Sequence, residues 1–193
     1  MRDPSASAPY APAAEPGAGR SLRALLRGGP LAKAIARGDL HLYRMIRSAA
    51  RPPALEPVGR FSRLGEHAAI WLVIGAAGIA FDEPRRRQWR RATAAVAGTY
   101  AVNTAIKSVF RRARPTFEDL PALIKTPTAL SFPSAHASSS FAAARAYSAM
   151  LPAGPLYAGA TAMALSRVYL GVHYPTDIAA GAVLGTIAGS AGR

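Results

Sequence analysis

Cysteine is absent from the 193 residues, which excludes disulfides and thiolate metal sites. Acidic side chains are scarce. Asp and Glu number 10 against 24 Lys and Arg, a formal net charge of +14. A chain this basic is suited to nucleic acid, anionic lipid or a phosphorylated substrate. No nucleic-acid-binding module is recognisable, and the arginines flank apolar blocks instead. Nucleic acid is therefore not the expected partner. The first twenty residues, MRDPSASAPYAPAAEPGAGR, lack the basic start, apolar run and cleavage site of a signal peptide. Rich in Pro, Ala, Ser and Gly, they are expected to form a disordered tail over residues 1–20.

What is present is apolar sequence in blocks, half of all residues being hydrophobic. The blocks run over His67–Phe81, Ala92–Ile106, Ala137–Met150, Leu156–Leu170 and Ile178–Gly192. Each is shorter than the roughly 20 residues that usually span a bilayer, but polar ends extend each to a workable length. Their Ala and Gly content allows membrane helices to pack closely. A soluble helical bundle with alanine-rich cores is the competing reading, disfavoured because the first block has no polar face. The expectation is an all-α, polytopic membrane helix bundle of about five transmembrane helices, over residues 66–193. Before it, residues 21–65 carry an amphipathic pattern. Leu42, Tyr43, Ile46, Ala49 and Ala50 share one helical face, and Arg44, Arg47 and Arg51 another. Six cations between Arg23 and Arg47 exclude a membrane span there. An interfacial helix on an anionic membrane and a helix packed on the rest of the protein are both open.

Charged and polar residues gather between the blocks. Lys107 stands near the end of the second, with Arg114 seven residues later before Pro115. Alone, each cation could simply reach for lipid headgroups, the reading given to Arg111 and Arg112. Pro133-Ser134-Ala135-His136 opens the third block. Ser134 can cap that helix, and the same free N–H groups can hold an anion. The fourth block ends in SRVYLGVHYPTD, where Arg167 precedes His173 by six residues and Asp177 follows it by four. A carboxylate beside an imidazole fixes its tautomer and makes the other nitrogen a better nucleophile. Taken singly, that pair is more often a surface hydrogen bond. Arg145, nine residues beyond His136, is about 13 Å further along a helix and is expected to miss an anion held there.

Alternating helix direction brings these points to one side of the membrane. The second helix ends at Lys107, the third begins near His136, the fourth ends near Arg167, and the fifth begins after Asp177. Three cations, two histidines, a serine and a carboxylate converge. That set suits phosphoryl transfer, which needs cations for the equatorial oxygens, a nucleophile, and an acid for the leaving oxygen.

KSVFRRARP, PSAH and SRVYLGVHYPTD together resemble, in order, the three-part signature of the type-2 phosphatidic acid phosphatase superfamily, over more than a third of the chain. One position departs: Ala135 stands where the family has glycine, keeping the backbone N–H but restricting the turn. The resemblance implies a helical core with its site at the membrane face and metal-independent hydrolysis of a lipid phosphate, without cofactor. It implies His173 as the nucleophile that becomes a phosphohistidine, Asp177 as its orienting partner, and His136 as the acid that then activates water. Lys107, Arg114 and Arg167, with Ser134 and the amide of Ala135, would bind the phosphoryl oxygens. A polyprenyl-linked phosphomonoester is the leading substrate class, ahead of polyprenyl diphosphates, phosphatidate and phosphatidylglycerophosphate. The other class of function is a non-catalytic binder of anionic lipid, which needs the cations but neither histidine. Counting cations outside the site, eleven from Arg2 to Arg63 against five from Arg85 to Arg91, favours a site facing the cytoplasm of a bacterial cell.

Overall fold

The computed structural model describes residues 29–193. The tail expected over residues 1–20, and residues 21–28 of the amphipathic region, lie outside the described residues. Among the described residues there are seven α-helices and no strand: α1 Pro30–Ser48, α2 Pro52–Leu64, α3 Ala69–Phe81, α4 Arg86–Phe110, α5 Ala135–Tyr147, α6 Ala153–Tyr169 and α7 Pro175–Ser190. Short 3₁₀ turns, Glu66–Ala68 and Glu83–Arg85, precede α3 and α4. The chain divides into two units after Ala36, within α1. The packing described below concerns Arg37 to Arg193.

The five apolar blocks correspond to α3–α7; α4–α7 begin two to six residues before their blocks, and α3 begins two residues inside its own. The boundaries have local causes. Pro175 supplies a preset φ at the start of α7. Asp177 and Tyr174 form a reciprocal cap there, the Asp177 carboxylate accepting from Tyr174 N at 2.9 Å. At the end of α6, Gly171 takes φ +78°, Gly171 N bonds Val168 O and Val172 N bonds Arg167 O. This double return is a Schellman closure, for which glycine is the suited residue. It throws the following residues back across the helix end.

α5 is the central helix, packed against α4, α6 and α7. Its contact with α7 is closest, because Gly181, Gly185 and Gly189 form a stripe at i, i+4, i+8. A Cβ at Gly185 would meet Ser138 O and Ala142 N, backbone atoms that cannot rotate away. α5 buries Ala137, Ala142, Ala143, Ala144, Ala146 and Tyr147. Its buried serines are satisfied: Ser138 and Ser139 donate to Ala135 O, and Ser140 Oγ accepts from Trp71 Nε1 at 2.7 Å. Trp71, Trp89, Val96 and Tyr147 complete the core at the end remote from the histidines. Arg145 is half-buried, its Nε donating to Ser190 Oγ at 3.0 Å.

The faces of α1 differ from those read in the sequence. Arg47, placed there with the exposed arginines, is buried together with Asp39 and Tyr43. Its guanidinium donates to Pro121 O at 2.7 Å and Tyr169 O at 3.5 Å, while Tyr43 OH donates to Gly171 O. Loop and helix-end carbonyls that lack backbone partners attract a planar multi-donor group. Leu42, expected beside Tyr43, is exposed with Met45. Ala49 and Ala50 lie beyond the helix end. No single described helix is long and apolar enough to cross a membrane; α2 with the segment Glu66–Phe81 meets that test as a pair bent by 52°.

Candidate active site

Lys107 lies in the last turn of α4. Arg111 then takes the left-handed conformation (φ +48°), and its N–H bonds Lys107 O at 3.0 Å. The chain doubles back there, and Arg112–Arg114 runs antiparallel to Ala129–Ser131. Arg114 thus reaches the site from a return segment rather than from two turns along one helix. Ser134 caps α5, its Oγ accepting from Ala137 N at 3.4 Å. Its own N–H donates to Asp177 O at 3.0 Å, which ties the start of α5 to the start of α7.

Lys107, Arg114, Ala135, His136, Arg167 and His173 line one cavity of about 170 Å³. Asp177 stands behind His173, and Ser134 behind Ala135; neither lines the cavity. A more open groove, lined by Ile74, Phe81, Trp89 and Leu151, lies at the other end of the bundle and holds no histidine.

His173 is 1% exposed. Arg114 Nη1 is 3.1 Å from its Nε2. A guanidinium can only donate, so Nε2 is the accepting nitrogen and the ring proton sits on Nδ1. Nδ1 lies 3.4 Å from Asp177 Oδ2, close enough to pair but without well-aligned hydrogen-bond geometry. Burial, then Arg114, Arg167 and Lys107, hold the His173 pKa well below the ordinary imidazole value. Burial also lowers Arg114 to about 10, against the opposing pull of Asp177, so it remains a cation at neutral pH.

Asp177 Oδ1 accepts from Arg112 Nη1 at 2.9 Å. Arg112, read in the sequence as a headgroup-seeking cation, is instead a half-buried hub that joins two buried carboxylates. Its Nη2 donates to Asp39 Oδ2 at 2.7 Å, its Nη1 to Thr176 Oγ1 at 2.7 Å, and its guanidinium lies 4.1 Å from the Tyr174 ring centroid. Asp39 also accepts from Thr176 N and Thr176 Oγ1. The signal for Asp39 was present: it is the only acidic residue in PLAKAIARGDLHLYRMIRS.

Ser62, on α2, was missed as well. It is fully buried, its carbonyl accepting from His136 Nε2 at 3.1 Å and its Oγ from Arg167 Nη1 at 2.6 Å. One residue therefore holds a histidine and a cation of the site. Glu66, His67, Tyr100, Asn103 and Thr104 line the same cavity and were not singled out.

The PAP2 superfamily profile matches residues 88–191. The chain is 43% identical over 135 residues to a Mycolicibacterium smegmatis protein named decaprenylphosphoryl-5-phosphoribose phosphatase, covering 69% of this chain and 74% of that one. A Mycobacterium tuberculosis protein of the same name is 38% identical over 166 residues, covering 83% and 92%. Among solved structures, Aquifex aeolicus LpxE superposes with a TM-score of 0.69 at 25% identity, over 79% of this chain and 93% of that one. The transmembrane PAP2-type phosphatidylglycerolphosphate phosphatase of Bacillus subtilis superposes with a TM-score of 0.68 at 23% identity, over 86% of each, a likeness of fold. With a profile spanning more than half its length and relatives this similar, the chain belongs to the PAP2 superfamily.

Proposed function

We propose that this membrane protein is a lipid phosphate phosphatase whose substrate is a phosphomonoester on a polyprenyl-linked sugar, decaprenylphosphoryl-5-phosphoribose by similarity to its named relatives. The observation that carries the chemistry is one cavity lined by Lys107, Arg114, Arg167, His136 and His173, with Asp177 behind His173.

His173 Nε2 attacks phosphorus while the bond from phosphorus to the leaving oxygen breaks. Arg114 moves from Nε2 to a phosphoryl oxygen as substrate enters. Lys107 and Arg167, with the N-terminal amides of α5 at Ala135, share the remaining charge. Asp177 stabilises the positive charge that develops on the His173 ring. The Ser62 carbonyl keeps His136 Nε2–H; with the phosphate dianion bound the ring is imidazolium, and its Nδ1–H passes a proton to the leaving alkoxide, which leaves the ring neutral. The same nitrogen then takes a proton from the water that attacks the phosphohistidine. Ser134 acts through the helix it caps. Three cations neutralise the phosphate, so the step needs no metal ion or other cofactor.

Residues 66–193 form the phosphatase domain, with about five spans. Val183 and Ile187 on α7, 60% and 69% exposed, lie opposite the glycine stripe and support a lipid-facing side. α1 lies along the membrane surface, turning Leu42 and Met45 to lipid while Asp39 and Arg47 hold the site end of the bundle. The site faces the cytoplasm.

The test is phosphate release by the purified chain from polyprenylphosphoryl-5-phosphoribose, polyprenyl diphosphate, phosphatidate and phosphatidylglycerophosphate, with His173→Ala beside it. Release from the phosphoribose lipid, lost in His173→Ala, is the expected result. Turnover undiminished by His173→Ala would defeat the mechanism, and preference for another lipid would defeat the substrate.

A further inference from the structure

Asn103 lies on α4, one turn before Lys107, and is 0% exposed while lining the cavity. Neither its Nδ2 nor its Oδ1 has a hydrogen-bond partner. A buried polar group left unmet costs about 1–3 kcal/mol, so an amide unmet at both ends inside a ligand cavity points to a ligand that completes it.

The wall around it is of the same character. Tyr100, one turn earlier on α4, places its hydroxyl 2.8 Å from His67 Nδ1. Glu66 lines the cavity beside them. His67 and Ala68 take φ +51° and +61°, a conformation costing non-glycine residues about 1–2 kcal/mol each. That bend, between α2 and α3, carries Glu66 and His67 to the cavity, and strain of this kind gathers at ligand sites. The phosphoryl chemistry uses none of these residues. An amide, a phenol, an imidazole and a carboxylate together donate and accept hydrogen bonds. A prenyl or acyl chain would leave the Asn103 amide unmet, whereas a hydroxyl-bearing group would satisfy it.

We propose that Asn103, with Tyr100, His67 and Glu66, forms a polyol subsite that binds the sugar hydroxyls of the leaving group, and that Asn103 sets the preference for a sugar phosphate over an alkyl phosphate. The proposal rests on the phosphatase reading of this cavity. His136, the proton donor to the leaving oxygen, lines the same cavity, so the sugar attached to that oxygen lies against this wall.

The experiment compares kcat/KM on two probes, short-chain polyprenylphosphoryl-5-phosphoribose and polyprenyl monophosphate of the same chain length, for wild type and Asn103→Leu in detergent. The expected result is a fall of about 10- to 100-fold on the phosphoribose probe and a change within about twofold on the other. The thermal midpoint should hold or rise, because leucine removes an unmet buried amide. Equal loss on both probes, or no loss on either, would overturn the subsite. If Asn103→Leu does not fold, Tyr100→Phe, which deletes one oxygen, decides by the same two outcomes with a smaller selective loss of about three- to tenfold. Failure of wild type to release phosphate from either probe would instead sink the phosphatase reading itself.

Discussion

At the scale of single residues, His173, the proposed nucleophile, is held by a relay of charges. Arg112 stands between Asp177 and Asp39, two carboxylates that are 0% and 4% exposed. Removing it leaves both without their cation, the costliest kind of buried change. Arg112→Met is expected to lower kcat by about 100-fold or more, with a smaller effect on KM. A loss confined to KM would show that Arg112 serves substrate binding instead. His136→Ala should cost far more with an alkyl phosphate than with nitrophenyl phosphate, whose leaving group needs no proton. Equal losses on the two would sink its role as acid. The depressed pKa of His173 also has a sign. Unfolded, its imidazole protonates near the ordinary value of 6.5; folded, only well below it. Its contribution to stability is therefore full above that value and lost as pH falls through it toward the folded pKa. His173, the proposed nucleophile, stays unprotonated over the same range in the free enzyme, so the acid limb of kcat/KM against pH should lie below 6.5. An acid limb centred above 7 that disappears in Arg114→Gln would contradict this.

At the scale of elements, the proposed catalysis depends on how closely α5 and α7 approach. α5 carries His136 in its first turn and α7 carries Asp177 in its own. The glycine stripe at 181, 185 and 189 lets the two backbones meet. Gly185→Ala places a methyl against Ser138 O and Ala142 N, and overpacking of this kind costs about 1–3 kcal/mol. A lowered thermal midpoint in detergent, with reduced activity, is expected. Gly98, in the middle of α4, is the control, since a Cβ there meets nothing within 4 Å. Gly98→Ala should hold or raise the midpoint through helix propensity, worth about 1 kcal/mol. If both variants behaved alike, close approach would not be the reason for the stripe.

At the scale of the whole molecule, the proposed orientation turns the site end of the bundle to the cytoplasm. Helix direction puts the loops at 111–134 and 170–174 at one end, and Glu83–Arg85 with residues 148–152 at the other. Lys125 and Arg87 are exposed at these opposite ends. Single cysteines there, Lys125→Cys and Arg87→Cys, can be labelled with an impermeant maleimide because the chain has no cysteine of its own. Protection of Lys125→Cys until cells are opened, with labelling of Arg87→Cys from outside, is the expected pattern. The reverse pattern would place the site outward.

The amino-acid sequence by itself determined the helical class, the apolar blocks and the three clusters that line or adjoin the cavity. Composition and periodicity are local properties, and a catalytic set that recurs at helix ends leaves its spacing in the chain. It also marked where α4 to α7 run, because apolar runs are bounded by capping and turn residues such as Ser134, Gly171 and Pro175. Only the tertiary structure decided which neighbours the site recruits. Asp39, Ser62 and Asn103 lie 138, 115 and 4 positions from Asp177, Asp177 and Lys107, and only folding shows which of them face the cavity. Arg112 and Arg47 show why: a cation in a basic stretch reads as solvated until a buried carboxylate or free carbonyl is brought to it. The route of Arg114 was hidden too, since a left-handed residue at Arg111, not a glycine, turns the chain. The energy that makes these contacts favourable comes from burial, which depends on packing among all the helices at once.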